Sequence, residues 1–122
     1  MPNATDTLES LREALASFAS ERDWDQFHNP KNLAMALAGE VGELVEHFQW
    51  LTFDEARALP AGTRDEVALE AADVLLYLVR LCDKLGIDLA DAARRKLAIN
   101  AQRYPVDKSQ GSAAKYDKLP QR

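Results

Sequence analysis

Two long stretches of this chain, residues 30–50 and 63–85, each carry an apolar stripe at helical spacing with a pair of acids set into or beside it. In the first, Leu33, Leu37, Val41, Leu44, Phe48 and Leu51 gather on one side when successive residues are turned by about 100°. Glu40 falls within that stripe between Ala36 and Leu44, and Glu43 and His47 follow its edge. In the second, Val67, Ala71, Val74, Leu78, Leu81 and Leu85 form the apolar face, bordered by Glu66, Glu70, Asp73 and Tyr77. A carboxylate buried without a partner is costly, so a chain of this pattern must bring something to its acids.

The remaining punctuation is helical too. Asp6 and Glu9 form a capping-box pair ahead of Leu8, Leu11, Leu15, Phe18 and Ala19, which repeat at helical spacing. A loop from Asp23 to Asn29 follows, and Asn29-Pro30 reads as cap and first residue of a helix running to about Trp50. Thr52 and Glu55 open a short helix that Pro60-Ala61-Gly62 ends. Thr63 and Glu66 start the helix that reaches Leu85 and stops at Gly86. Asp88 and Asp91 open a last helix closed by Pro105. No segment alternates long enough to be a strand. The expected fold is all-α: four main helices in a bundle and one short connecting helix, over residues 1–105. Residues 106–122 are polar and unpatterned, and read as a loose tail.

Composition narrows the function classes. With 122 residues the chain fits one domain, and a core this small gains from oligomerisation. A net charge of −5 without a basic stripe argues against binding a nucleic-acid polymer. No apolar run has the length of a membrane span, and Met1–Ser10 lacks the basic-then-apolar layout of a secretory signal, so a cytoplasmic protein is expected. Lone Cys82 lies in an apolar helical segment and reads as a buried, reduced thiol.

Four carboxylates, Glu40, Glu43, Glu70 and Asp73, would meet if the two helices pack antiparallel. Convergent acids repel unless a cation sits between them, and an all-oxygen donor set favours Mg²⁺ or Mn²⁺ over zinc. The bland alternative is a solvated acidic face paired with Arg64, Arg80 or Lys84. Other chemistries fit poorly. The Glu-x-x-His pairs of ferritin-like di-iron bundles, the His-Glu-x-x-His zinc signature and the phosphate-binding Gly-x-x-x-x-Gly-Lys loop are all absent, and nothing in the sequence pairs Cys82 with a histidine.

The segments Gly39-Glu40-Val41-Gly42-Glu43-Leu44-Val45-Glu46 and Glu70-Ala71-Ala72-Asp73-Val74-Leu75-Leu76-Tyr77 resemble the all-α MazG-like nucleoside triphosphate pyrophosphohydrolases. Residues 21–28, Phe48-Gln49-Trp50, Lys96, Asn100, Arg103-Tyr104-Pro105 and Lys115-Tyr116 resemble the dCTP pyrophosphatase branch. The resemblance implies Mg²⁺-dependent cleavage between the α- and β-phosphates, with Glu40, Glu43, Glu70 and Asp73 holding the metal. Glu40 or Glu43 would then take the proton of the attacking water. It further implies that Trp24, Trp50, Tyr77, Lys96, Asn100, Arg103 and Lys115 contact the nucleotide and that the protein is a homodimer or homotetramer. A tail that folds over the site on substrate binding would explain why residues 106–122 lack periodicity. His28 reads as a loop residue making a backbone hydrogen bond, and Phe27 as packing. Leu15 stands where some relatives carry a polar, base-facing residue. This departure keeps a broader dNTP or dUTP pyrophosphohydrolase open beside the dCTP enzyme. A non-catalytic helical interaction module is the third reading.

Overall fold

The computed structural model describes residues 6–120 and is helical throughout its regular structure, with no strand among them. It divides into two compact units, the first running to Ile87 and the second starting at Asp88. The first contains α1 (Leu8–Glu21), α2 (Pro30–Glu46), α3 (Phe53–Arg57) and α4 (Ala61–Lys84). The second contains α5 (Leu89–Arg103), α6 (Val106–Ser109) and a 3₁₀ turn, Tyr116–Lys118. No helix is long and apolar enough to cross a membrane among the described residues.

Local chemistry accounts for most of the boundaries. Asn29 Oδ1 accepts from the Asn32 amide at 2.9 Å with Pro30 at the first helical position. Thr52 and Glu55 form the reciprocal capping box expected of them. Asp88 Oδ1 accepts from the Asp91 amide at 3.0 Å. Gly86 ends α4 at φ 68, a left-handed conformation, which lets the Ile87 amide reach back to Cys82 O at 2.8 Å.

Three boundaries differ from the sequence reading. Thr7 with Ser10, not Asp6 with Glu9, caps α1. α2 ends at Glu46 and is followed by turns as far as Trp50. α4 starts at Ala61 behind Pro60, two residues before the expected Thr63. Here Pro60 has φ −55 and ψ 151, so the proline launches the next helix instead of only stopping the last. Residues 106–120 are also more ordered than a loose tail. They hold α6 and the 3₁₀ turn, and Tyr116 meets Tyr104 edge-on at 6.2 Å beneath the Arg103 guanidinium.

In the first unit α4 packs against both α2 and α1. Its most buried residues are therefore Val79, Arg80 and Cys82, not the single stripe centred on Leu78. Cys82 is a free, buried thiol, as its apolar surroundings required. The fully enclosed core of this unit is small, with Ala19 and Leu33 joining the α4 residues. Much large apolar surface stays open: Trp50 is 86% exposed, Phe53 88% and Leu69 71%.

Candidate active site: an acidic cluster beside an apolar pocket

Where α2 and α4 pack, Glu40 and Glu43 of the first helix meet Glu70 of the second. One carboxylate oxygen from each of the three lies within 4.8 Å of the others. The spacing of three residues places Glu40 and Glu43 one turn apart on the same side of α2, which is why one helix supplies two of the three. Glu40 Oε2 and Glu70 Oε2 are buried and have no hydrogen-bond partner. No cation lies within salt-bridge distance of Glu40, Glu43, Glu70 or Asp73 among the described residues. On the same two helices His47 Nδ1 lies 3.9 Å from Glu66 Oε2. Of the cations first considered as partners, Arg80 and Lys84 both bind Asp25 instead. The acids therefore do not form a salt-bridged surface.

Their ionisation reflects this. Burial, then hydrogen bonding to and repulsion by Glu43, then the charges of Asp73 and Glu70 push Glu40 up to about 7. Burial and the charge of Glu43 raise Glu70 as well. Carboxyls that hold protons this tightly, with two orphaned buried oxygens, match a site completed by a divalent cation. Asp73 lies outside the three-acid group. It contributes charge to Glu40 and Glu70, and its side chain faces the adjoining pocket.

That pocket has a volume of about 420 Å³, within the range of small-molecule sites, and lies within the first unit. Leu11, Leu15, Phe18, Leu33 and Leu76 give it apolar walls, and Trp24, His28, Asp73, Tyr77 and Arg80 border it. The loop between α1 and α2 sets Trp24. Asp23 takes a left-handed φ of 54, and the Trp24 amide donates to Ala19 O at 2.9 Å, turning the ring edge-on to Phe18 at 5.6 Å. Trp24 and Tyr77, both expected to contact a nucleotide, are thus brought to one cavity. Trp50 is not among its lining residues and is largely open to solvent. Lys96, Asn100, Arg103 and Lys115 belong to the second unit. There Arg103 stacks on Tyr116 at 4.7 Å.

The sequence reading missed the ionic group at the pocket's edge. Arg80 joins Asp25, Asp83 and His28, and Lys84 also reaches Asp25. One signal was available: Asp73, Tyr77, Arg80 and Lys84 fall four, three and four residues apart, along one face of α4.

Helices that pair two acid-bearing faces next to an apolar pocket define a class: all-α proteins with an acidic centre suited to a hard metal ion. The chain belongs to the MazG-like family, whose model matches residues 36–119. It is 51% identical to dCTP pyrophosphatase 1 of Mus musculus over 116 residues, covering 93% of this chain and 68% of that protein. For dCTP pyrophosphatase 1 of Homo sapiens the identity is 48%, with the same coverage. A dATP/dGTP diphosphohydrolase of Cyanophage S-2L is 31% identical over 97 residues, covering 80% of this chain and 76% of the other. Among solved structures, a pyrophosphatase from Archaeoglobus fulgidus superposes with a TM-score of 0.77 at 39% identity, covering 86% of this chain and 98% of that one.

Proposed function

We propose that the protein is a Mg²⁺-dependent nucleoside triphosphate pyrophosphohydrolase that converts dCTP, or a modified dCTP, to the monophosphate and pyrophosphate, and so cleans or balances the nucleotide pool. The observation that carries this is the pair of buried, unpartnered oxygens of Glu40 and Glu70 beside a base-sized apolar pocket. Half-identity to dCTP pyrophosphatases over nearly the whole chain supports the choice of reaction and base. The donor set fits the implied metal. Glu40, Glu43 and Glu70 would hold it, with Asp73 added by the family likeness from the adjoining pocket and Mn²⁺ as a substitute, and the bound ion would neutralise phosphate charge.

The chain's own residues do the rest. Trp24 offers a flat ring and Tyr77 a hydroxyl at the pocket wall, which suit a nucleobase. The apolar lining excludes water from around the base. Glu40 or Glu43 takes the proton of the attacking water. The family likeness assigns Trp50, Lys96, Asn100, Arg103 and Lys115 to the nucleotide, assignments supported by sequence likeness.

A panel of the eight common nucleoside triphosphates with Mg²⁺, resolved by chromatography, tests the reading. Monophosphate and pyrophosphate from cytosine nucleotides are expected. Diphosphate and orthophosphate would contradict the cleavage position. One observation favours a broader second reading, a dNTP or dUTP pyrophosphohydrolase: Leu15 gives the pocket wall carbon where a polar contact could have selected a base. Comparable rates across bases would then be found. An inert interaction module is disfavoured, because it has no use for unpaired buried acids.

The protein is further proposed to be a homodimer or homotetramer. Trp50, Phe53 and Leu69 leave most of their large apolar side chains open, and exposed apolar surface of this kind suits a contact between copies. Light scattering is expected to give at least twice the chain mass of 13.6 kDa, and Leu69→Arg to shift the population toward the monomer. A wild-type mass equal to one chain would remove this proposal.

A further inference from the structure

Arg80 is the one charged side chain that is buried among the described residues, at 5% exposure. A guanidinium so placed must spend its donors on fixed partners. It donates from one terminal nitrogen to Asp25 Oδ1 at 2.6 Å and from the other to Asp83 Oδ2 at 3.2 Å. Lys84 shares Asp25 at 2.8 Å, and Arg12 shares Asp83 at 3.3 Å. The remaining bond is the informative one: Arg80 Nε donates to His28 Nδ1 at 3.1 Å.

A guanidinium can only donate, so His28 Nδ1 must be bare. A neutral imidazole with a bare Nδ1 carries its proton on Nε2. Burial and the Arg80 charge hold His28 below its ordinary pKa, outweighing the opposing charge of Asp25, so the neutral ring prevails at neutral pH. Among the described residues nothing accepts from Nε2. The ring stands at the wall of the apolar pocket, 6.2 Å from the Trp24 ring. Its backbone is fixed as well, with the His28 amide bonded to both Trp24 O and Asp25 O at 3.2 Å. The expected loop histidine with a backbone bond therefore has a side chain that is oriented from α4, across 52 positions of sequence.

We propose that His28 reads the base: its Nε2–H donates to an acceptor on the edge of the nucleobase held in this pocket, and Arg80 is the positioning residue that fixes the tautomer and the ring. This rests on the pyrophosphohydrolase reading and deepens it. Cytosine offers O2 and N3 as acceptors. A single directional donor in an apolar wall orients a flat base that Trp24 and Leu15 could otherwise hold in several ways. A site whose donor meets a base N–H instead leaves both unpaired and discriminates against that base.

The test compares His28→Phe, His28→Gln and Arg80→Lys in steady-state kinetics with dCTP and Mg²⁺. His28→Phe is expected to raise KM about tenfold, the loss of one directional hydrogen bond, with kcat and the Mg²⁺ activation constant little changed. His28→Gln, which can both accept from Arg80 and donate to the base, should recover most of that loss. Arg80→Lys keeps a cation for Asp25 but has no Nε–H for His28, and should raise KM partway. In the wild type, ¹⁵N-histidine NMR should report the Nε2–H tautomer for His28, with that resonance shifting on addition of dCMP and Mg²⁺. An unchanged KM in His28→Phe, a fall confined to kcat, or an Nδ1–H tautomer would each overturn the proposal. The NMR result decides it even if the phenylalanine variant fails to fold. Failure of wild-type protein to cleave dCTP would overturn the substrate reading instead, and the kinetic comparison then applies to whichever triphosphate is cleaved.

Discussion

Replacing Glu43 by glutamine is expected to lower turnover by about 10²–10⁴-fold, the scale of losing a positioned carboxylate, while leaving the helices folded. Glu43 is exposed on α2, yet one of its oxygens lies with those of Glu40 and Glu70 inside the same 4.8 Å. Its packing is therefore dispensable and its charge is not. Glutamine keeps nearly the same shape but cannot bind a hard cation as an anion or accept the water's proton. Because Glu43 is a cause of the raised ionisation of both Glu40 and Glu70, its removal also relieves repulsion. Thermal unfolding of the metal-free variant should match or exceed that of the wild type, and the stabilisation added by Mg²⁺ should shrink. Circular dichroism melts with and without Mg²⁺, run beside the chromatographic assay, check both halves. Undiminished turnover would remove Glu43 from the site.

The parts of this molecule that could be read from the chain are those encoded by short spacings. Asn29-Pro30, Thr52 with Glu55, and Gly86 each act within one helical turn, and each does what its local chemistry requires. Ambiguity began where two such patterns overlap. Asp6 and Glu9, and Thr7 and Ser10, are capping pairs one residue apart, and spacing could not choose between them. The acidic centre was legible for the same reason as the caps, since Glu40 and Glu43 share a helix face and the wheel set Glu70 on the edge that meets them. Asp73, one methylene shorter and nearly a turn further along α4, faces the pocket instead of completing the trio. What no spacing rule reaches is a contact between distant segments. Arg80 meets Asp25 and His28 from more than fifty positions away, so the network that orients the pocket wall emerged only with the packing of α4.

Binding of a divalent ion to the metal-free protein is expected to release about half a proton at pH 7, approaching about one as pH falls further, with apparent affinity falling about tenfold per pH unit in that lower range. Glu40, raised from 4.5 to about 7 by burial and by its acidic neighbours, is the source. The sign for folding follows from the same shift. Between pH 4.5 and about 7 the folded chain holds a proton that the unfolded chain has lost, so this group's contribution to stability falls as pH rises and levels off above about 7. Glu70, also raised, acts in the same direction. His28, lowered by burial and by Arg80, acts in the opposite one: the unfolded chain holds its proton to higher pH, so its contribution grows with pH. The lowered carboxyl of Asp25, held by Lys84 and Arg80, contributes above its unfolded pKa and is lost only in acid. Because these slopes overlap, the informative quantity is the difference between wild type and Glu40→Gln in melts from pH 5 to pH 8 without metal. The variant should lose part of the alkaline decline, and Mg²⁺ should restore the wild type most at the alkaline end, where Glu40 is charged and uncompensated. Calorimetric titration with Mg²⁺ or Mn²⁺ in buffers of different ionisation heat measures the proton directly. Metal uptake without proton release at pH 6.5 would mean that Glu40 is already ionised in the free protein. In that case the buried oxygens of Glu40 and Glu70 would have to be neutralised by something other than protons, and the account of why these acids tolerate one another would be wrong.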